Sequence, residues 1–290
     1  MGMSRRLTVS DPVILTKRVG AAVTTATLYH GDCLEILPAL KADFVFTDPP
    51  YGHNNNNGDL IHNREKALGE KTKAPAEPRA IANDGPEANN LFQSVLPLLH
   101  AALPHGGCCC CCGGGGPDPQ FARWSLWMDE VFDFKQMVVW DKGPIGMGWH
   151  YRRSYETILV GQKPGAACRW FDDSQQIENI IRPGYRGIAK ILPGAHQHPT
   201  EKPYQLAGHF IRLHSQPGET VLDPFMGCGS TAIAAMRMGR NFVGIELDPA
   251  HFKETVQRLK LELEQPEMFE AAKVAPMVQE DLIIPLSLSP

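Results

Sequence analysis

Apolar positions in this chain gather into short runs and helical stripes that follow one another over most of its length. Phe44, Val45 and Phe46 form the first strong run, within 42–47, and Asp48-Pro49-Pro50 stops it. Proline lacks the N–H a ladder needs, so a strand ends there and leaves Asp48 at its carboxyl tip. A shorter strand over 27–29 precedes Gly31-Asp32 and the apolar stretch 33–40, which puts Asp32 at a second strand-to-helix turn. Leu91, Val95, Leu98, Leu99 and Leu103 recur at helical spacing and predict a helix over 91–103, closed by Pro104-His105-Gly106-Gly107. Five consecutive cysteines, 108–112, follow. Unpaired cysteine packs as a small hydrophobe, so they predict a buried strand. A helix over 121–132, a strand over 136–140 and a pair of short strands around 155–160 come next.

The rhythm is lost over 164–200, where Pro, Gly, Arg and His dominate, and a separate loop-rich lobe is predicted there. It resumes with a helix over 204–214, a strand over 220–222 and a turn over 223–229. A helix over 230–238 ends at Gly239, a suitable left-handed cap, and a strand over 241–245 carries Glu246 at its tip. The last helix opens with Asp248 as N-cap and Pro249 at its first position, and Phe252, Val256, Leu259 and Leu263 mark one buried stripe. Residues 52–88 show neither period and read as a long loop, either a lid that touches substrate or a plain insertion. Helices alternating with apolar strands predict an α/β fold whose parallel sheet is covered on both faces.

Composition narrows the class. With 290 residues and 43% hydrophobic content the chain can bury a full core. It has no apolar run of membrane-spanning length, and residues 1–18 lack the core of a secretion signal, so a soluble cytoplasmic protein is expected. Adjacent cysteines cannot form a disulfide framework, and Cys33, Cys168 and Cys228 stand too far apart for finger-like spacing, so no metal is expected. The net charge of -4 opposes a protein that coats nucleic acid indiscriminately. A local basic face is still available, because Arg182, Arg186, Lys190 and Lys202 outnumber Glu201 over 182–202 and Arg152-Arg153 stand upstream.

Two segments carry chemistry. The first runs Asp223-Pro224-Phe225-Met226-Gly227-Cys228-Gly229-Ser230-Thr231 between a strand and a helix, where glycines let backbone turn tightly against a ligand at a helix N-terminus. Glu246, at the tip of the next strand, can accept both hydroxyls of a ribose, which suggests an adenosine ligand. No Gly-Lys-Ser/Thr follows, which disfavours a triphosphate loop. The second segment is Asp48-Pro49-Pro50-Tyr51. An exocyclic base amine is a poor nucleophile because its lone pair is delocalised into the ring. A carboxylate (Asp48) and a carbonyl (Pro49) on a stiff proline turn can hold its hydrogens and pyramidalise it, and Tyr51 offers a face to a base rotated out of the duplex.

Together these segments resemble the amino-methyltransferases of DNA, and their order, with the Asp-Pro-Pro-Tyr loop first, is similar to that of the permuted beta group. His198-Pro199-Thr200-Glu201-Lys202-Pro203 is a third match, and the resemblance spans about 27–263. It implies a Rossmann-like class I methyltransferase sheet, circularly permuted, with a small loop-rich target-recognition lobe. The implied division is an N-terminal arm 1–26, a catalytic half 27–163 that includes the loop 52–90, the recognition lobe 164–197, a cofactor-binding half 198–264 and a flexible tail 265–290.

The resemblance further implies that Asp48, Pro49, Pro50 and Tyr51 are catalytic. Asp223, Phe225, Gly227 and Gly229 would line the methionine side of S-adenosyl-L-methionine, with Thr200 and Lys202 at its carboxylate, Glu246 at its ribose, Asp32 near its adenine and Ser230 also binding the cofactor. Double-stranded DNA is the implied partner, with Arg152, Arg153, Arg182, Arg186 and Lys190 at its phosphates, and a homodimer is usual in the group. An Asp at the first loop position is more usual for adenine N6 and a Ser for cytosine N4. The expected activity is therefore site-specific adenine methylation by direct transfer after base flipping, of the restriction-modification type. Cytosine-N4 methylation and a non-catalytic DNA-binding relative are the alternatives. The cysteine strand and the short lobe depart from the family pattern.

Overall fold

The computed structural model describes residues 11–19, 22–54, 80–113, 120–143, 152–182, 184 and 201–264. In chain order its elements are β1 (Val13–Val19), β2 (Ala22–His30), α1 (Cys33–Ile36) with a 3-10 turn at Leu37–Ala39, β3 (Phe44–Thr47), α2 (Glu87–Ala102), β4 (Cys108–Gly113), α3 (Gln120–Val131), β5 (Asp133–Asp141), β6 (Tyr155–Gln162), β7 (Ile180–Ile181), α4 (Tyr204–His214), β8 (Thr220–Asp223), α5 (Ser230–Arg237), β9 (Asn241–Glu246) and α6 (Pro249–Glu264). The strands form one sheet in the order β1-β2-β9-β8-β3-β4-β6-β5-β7. From β2 to β4 neighbours run parallel, whereas β1 and β6 are antiparallel to the strands beside them.

Side chains of a strand alternate between faces, and the central strands use both. Phe44 and Phe46 join the cluster beneath α4, α5 and α6, which contribute Phe210, Ile233 and Leu259, while Val45 joins the cluster on the other face with Phe92 of α2 and Trp124 and Met128 of α3. The cysteine strand obeys the same period: Cys108, Cys110 and Cys112 face the first cluster, and Cys109 and Cys111 the second. All five are buried, as the sequence predicts, and their small volume is matched by the buried indoles of Trp124 and Trp140 on the two faces. Among the described residues no helix is long and apolar enough to cross a membrane.

Several expectations need correction. The sheet is mixed rather than parallel, and residues 155–162 form one long strand rather than two short ones. The segment taken as an N-terminal arm, 1–26, contains β1 and the start of β2. β1 is an edge strand whose Val13 and Leu15 pack inward while Ile14 and Thr16 face out, and its polar residues break the apolar run that would have marked it. Residues 164–182, the described start of the lobe, form a strap on the rest of the fold. Phe171 N–H donates to the Leu213 carbonyl at 2.8 Å, Asp172 pairs with Arg212 at 2.9 Å, and buried Ile181 lies on β5 as part of β7. The loop 52–90 yields its last residues to α2, which starts at Glu87. Residues 55–79 of that loop, 185–197 of the lobe and the tail 265–290 lie outside the described residues.

Candidate active site

Four parallel neighbours, β2, β9, β8 and β3, end on one edge of the sheet, and an acid follows or closes each: Asp32, Glu246, Asp223 and Asp48. In open α/β sheets ligands bind outside the carboxyl ends of such strands. Register makes the meeting specific. Val45 lies beside Leu222, so the next residues on both strands emerge together, and the Thr47 hydroxyl donates to Asp223 Oδ1 at 2.7 Å. The Asp48 loop and the glycine turn therefore border a single cleft, which Asp48, Tyr51, Phe225, Gly227 and Glu246 help to line.

Asp48 is held from two sides. The Tyr51 hydroxyl donates to its Oδ1 and the Lys202 ammonium to its Oδ2. Lys202 also lies 3.3 Å from Glu156 Oε2, and Lys142 pairs with Glu156 Oε1 at 2.6 Å. Burial works against the charge of Glu156, yet Lys202 and Lys142 bring its carboxyl down to about 2. Burial likewise opposes the charge of Lys202, and Asp48 and Glu156 more than compensate, so its pKa rises. Burial, then Asp48, pushes the Tyr51 phenol well up. The backbone of the loop is fixed by Asp84, whose Oδ1 accepts N–H groups from Tyr51, Gly52 and His53 at 3.0, 2.8 and 3.2 Å. Converging amides around one carboxylate hold the turn in place before any substrate arrives.

The glycine turn is anchored just as closely. Buried Asp223 accepts the Thr231 hydroxyl at 2.7 Å and the Phe225 N–H at 3.1 Å in addition to Thr47, but burial dominates and its carboxyl stands at about 6. Gly229 caps α5 at φ 81, and a Cβ there would fall 2.7 Å from Thr255 Cγ2. The Thr255 hydroxyl donates to the Gly227 carbonyl. Glu246 accepts the N–H of Gly227 at 2.9 Å and that of Asp248 at 2.8 Å, which aims its carboxylate along the turn. Ser230 donates to Glu201 at 3.2 Å, and Arg258 joins Glu201 to the Cys228 carbonyl. Asp32 caps α1 through the Leu34 N–H at 2.9 Å and also borders the cleft.

The structure thus brings together Asp32, Asp48, Pro49, Pro50, Tyr51, Lys202, Asp223, Phe225, Gly227, Ser230 and Glu246 at one cleft. Gly229 acts beneath the turn through its backbone. Two side chains differ from expectation. Lys202 faces Asp48 and Glu156 because a buried ammonium needs anionic partners. Tyr51 does not present an open ring: Trp124 stands edge-on at 6.1 Å and the Lys202 ammonium lies 5.2 Å from the ring centre. Of the basic residues, Arg152 is exposed and Arg153 half-buried, its charge acting on His53 beside the Tyr51 ring. Arg182 is exposed and pairs with Glu178. Thr200, Arg186 and Lys190 lie outside the described residues. Sequence reasoning missed Glu156, Asp84, Lys142 and the pair Glu201–Arg258. Only Glu201 left a signal, because it stands within the His198–Pro203 motif.

Comparison with known proteins bears on this geometry. A family model for N6 and N4 methyltransferases, described as DNA methylase, matches residues 42–257 and so takes in both loops. The DNA adenine methyltransferase YhdJ of Escherichia coli K12 is 26% identical over 263 residues, with 80% of this chain and 82% of that protein covered. The type II methyltransferase M2.DpnII of Streptococcus pneumoniae is 26% identical over 256 residues, with 82% and 90% covered. The structure of TTHA0409 from Thermus thermophilus, complexed with S-adenosyl-L-methionine, superposes with a TM-score of 0.57 at 22% identity over 82% of this chain and 95% of that one.

Proposed function

The chain belongs to the N6/N4 DNA methylase family, and from that premise we propose that it transfers a methyl group from S-adenosylmethionine to an exocyclic amine of double-stranded DNA, at adenine N6. The observation that carries this reading is the junction of Thr47 with Asp223, which joins an amine-holding loop to a cofactor-type turn at 2.7 Å.

The residues at the cleft fit such a cofactor. A sulfonium with an α-ammonium is cationic, and the strand tips present the carboxylates of Asp223 and Glu246. A purine needs an apolar wall, which Phe225, Leu247 and Pro203 supply, and the second lone pairs of Glu246 are suited to ribose hydroxyls. When bound, the cofactor supplies an electrophilic methyl. Asp48 and the Pro49 carbonyl would accept hydrogen bonds from the two amine hydrogens, so that the nitrogen lone pair turns toward that methyl, and the one proton the amine sheds would pass to Asp48 and on to solvent. Before the site fills, Lys202 and Tyr51 hold the Asp48 carboxylate still, while each oxygen retains lone-pair capacity for the amine. Thr200 and Lys202 serve the cofactor's carboxylate, so that Lys202 turns from Asp48 as the site fills and Tyr51 is left to hold the Asp48 carboxylate during transfer.

Asp at the first loop position and the adenine specificity of YhdJ favour adenine over cytosine. Arg152, Arg153, Arg182, Arg186 and Lys190 contact phosphates, and the active form is a homodimer, whose mass in sedimentation tests that point. Replacing Asp48 with Ala should abolish transfer and leave cofactor affinity nearly intact. Digesting the methylated DNA to nucleosides identifies the base, and full activity of the Asp48→Ala protein would end the proposal.

A further inference from the structure

On the opposite edge of the sheet from the cleft, three side chains that are distant in sequence converge. Cys108 opens β4 and is fully buried, Cys168 lies exposed on the strap after β6, and His214 is the buried last residue of α4. The two sulfurs are 3.4 Å apart, and one donor atom from each of the three residues lies within 4.8 Å of the others. Spacing along the chain speaks against a zinc cluster, but the fold places Cys168 against Cys108 all the same.

The imidazole is oriented as a ligand would be. His214 Nδ1 lies 3.1 Å from the Arg169 carbonyl, and a carbonyl can only accept, so Nδ1 carries the hydrogen and Nε2 keeps its lone pair. A ring N–H given to a backbone carbonyl is the usual outer support of a metal-binding histidine. Phe44 stacks on the same ring at 5.4 Å and Trp170 meets it edge-on at 5.3 Å, which fixes its plane.

We infer that Cys108, Cys168 and His214 form a site for a soft divalent cation of the zinc class, with a fourth position open to water. Two thiolates and an imidazole select such a metal over magnesium or calcium. Zinc–sulfur bonds of about 2.3 Å at tetrahedral angles put two sulfurs roughly 3.8 Å apart. The present 3.4 Å needs only a small spread, which the exposed coil at Cys168 can supply. Binding forms two metal–sulfur bonds and one metal–nitrogen bond in place of three of the ion's water ligands, and the thiol protons of Cys108 and Cys168 pass to solvent. The metal ties together the strap, β4 and the end of α4, where the strap already meets the residues before β4 through the Arg169 N–H on the Gly106 carbonyl and meets α4 through the Phe171 N–H on the Leu213 carbonyl and the Arg212–Asp172 ion pair.

The test uses the full chain, reduced and stripped of metal, titrated with zinc against a chromophoric chelator and with cobalt(II) for thiolate charge-transfer absorption. Saturable one-to-one zinc binding is expected. Cys168→Ser should weaken it at least roughly tenfold and abolish the cobalt band, and Cys168→His, which restores a ligand on an exposed residue, should recover it. Equal zinc affinity in the native protein and Cys168→Ser would overturn the site, and so would the absence of saturable binding. A Cys108–Cys168 disulfide in protein purified without reductant, together with no zinc binding after reduction, would also overturn it and assign the pair to redox chemistry. None of these readouts depends on methyl transfer.

Discussion

Asp223 and Glu156 are both buried carboxylates, and their surroundings drive them in opposite directions. Asp223, at about 6, is raised above its ordinary 3.8 by burial, so the folded state holds its proton more tightly than the unfolded one. That contribution to stability is complete below the ordinary value and is lost as pH rises through about 6, a difference of about 3 kcal/mol. A cationic cofactor restores a reason for the charge. Calorimetry should therefore find cofactor affinity rising between pH 5 and 7, and Asp223→Asn should remove that slope; a pH-independent affinity in the native protein would count against Asp223 as the cofactor's counter-charge. Glu156, at about 2, is depressed from 4.5, so its stabilisation is present above the ordinary value and disappears as pH falls toward 2. Glu156→Gln should cost about 3 kcal/mol at pH 7 and almost nothing near pH 2, as followed by urea unfolding. Asp48 and Asp223 were legible in the sequence because each stands in a motif at a strand end. Glu156 and Asp84 were not, since their importance comes from Lys202 and from the 51–53 backbone, partners that only the fold brings close.

Elements with a clean period were read nearly to the residue. α4 spans Tyr204–His214 as expected, Asp248 caps α6 through the N–H groups of Ala250 and His251 at 2.8 and 2.9 Å, and Gly239 follows α5 at φ 74. β1 escaped because an edge strand needs only one buried face and its outward residues are polar. The glycine turn and α6 form a single unit: Gly229 can sit at φ 81 beneath Thr255 only because it has no Cβ. Gly229→Ala should cost about 2–3 kcal/mol in unfolding and weaken cofactor binding, combining the left-handed strain with a contact too short to keep. Unchanged stability would mean that α6 yields easily at Thr255. The cysteine strand gives another check at this scale. Seven of the eight thiols are buried, so a disulfide reagent should find one fast-reacting thiol, Cys168, in the native metal-free protein, and the rest only after unfolding.

At the scale of the whole molecule, sheet order was the least legible feature. β3 and β8 are adjacent in space, yet β4 to β7 and, among the described residues, three helices lie between them in the chain, and no hydrophobic period reports that adjacency. Only the resemblance of the two motifs suggested it. The adjacency gathers Asp32, Asp48, Asp223 and Glu246 on one edge, a field that attracts a cationic cofactor and repels a polyanion. A chain of net charge -4 can bring DNA to that edge only if cations at its rim outweigh the local repulsion. Arg153, whose charge reaches His53 beside Tyr51, and its exposed neighbour Arg152 are placed to do so. Each phosphate neutralised contributes roughly 0.9 to the slope of log affinity against log salt, so Arg152→Ala with Arg153→Ala should flatten that slope by roughly 2 while cofactor affinity stays the same. A native protein whose DNA affinity ignores salt would remove the basic rim altogether. A double variant with the native slope would move the phosphate contacts to Arg182 or to the residues beyond it.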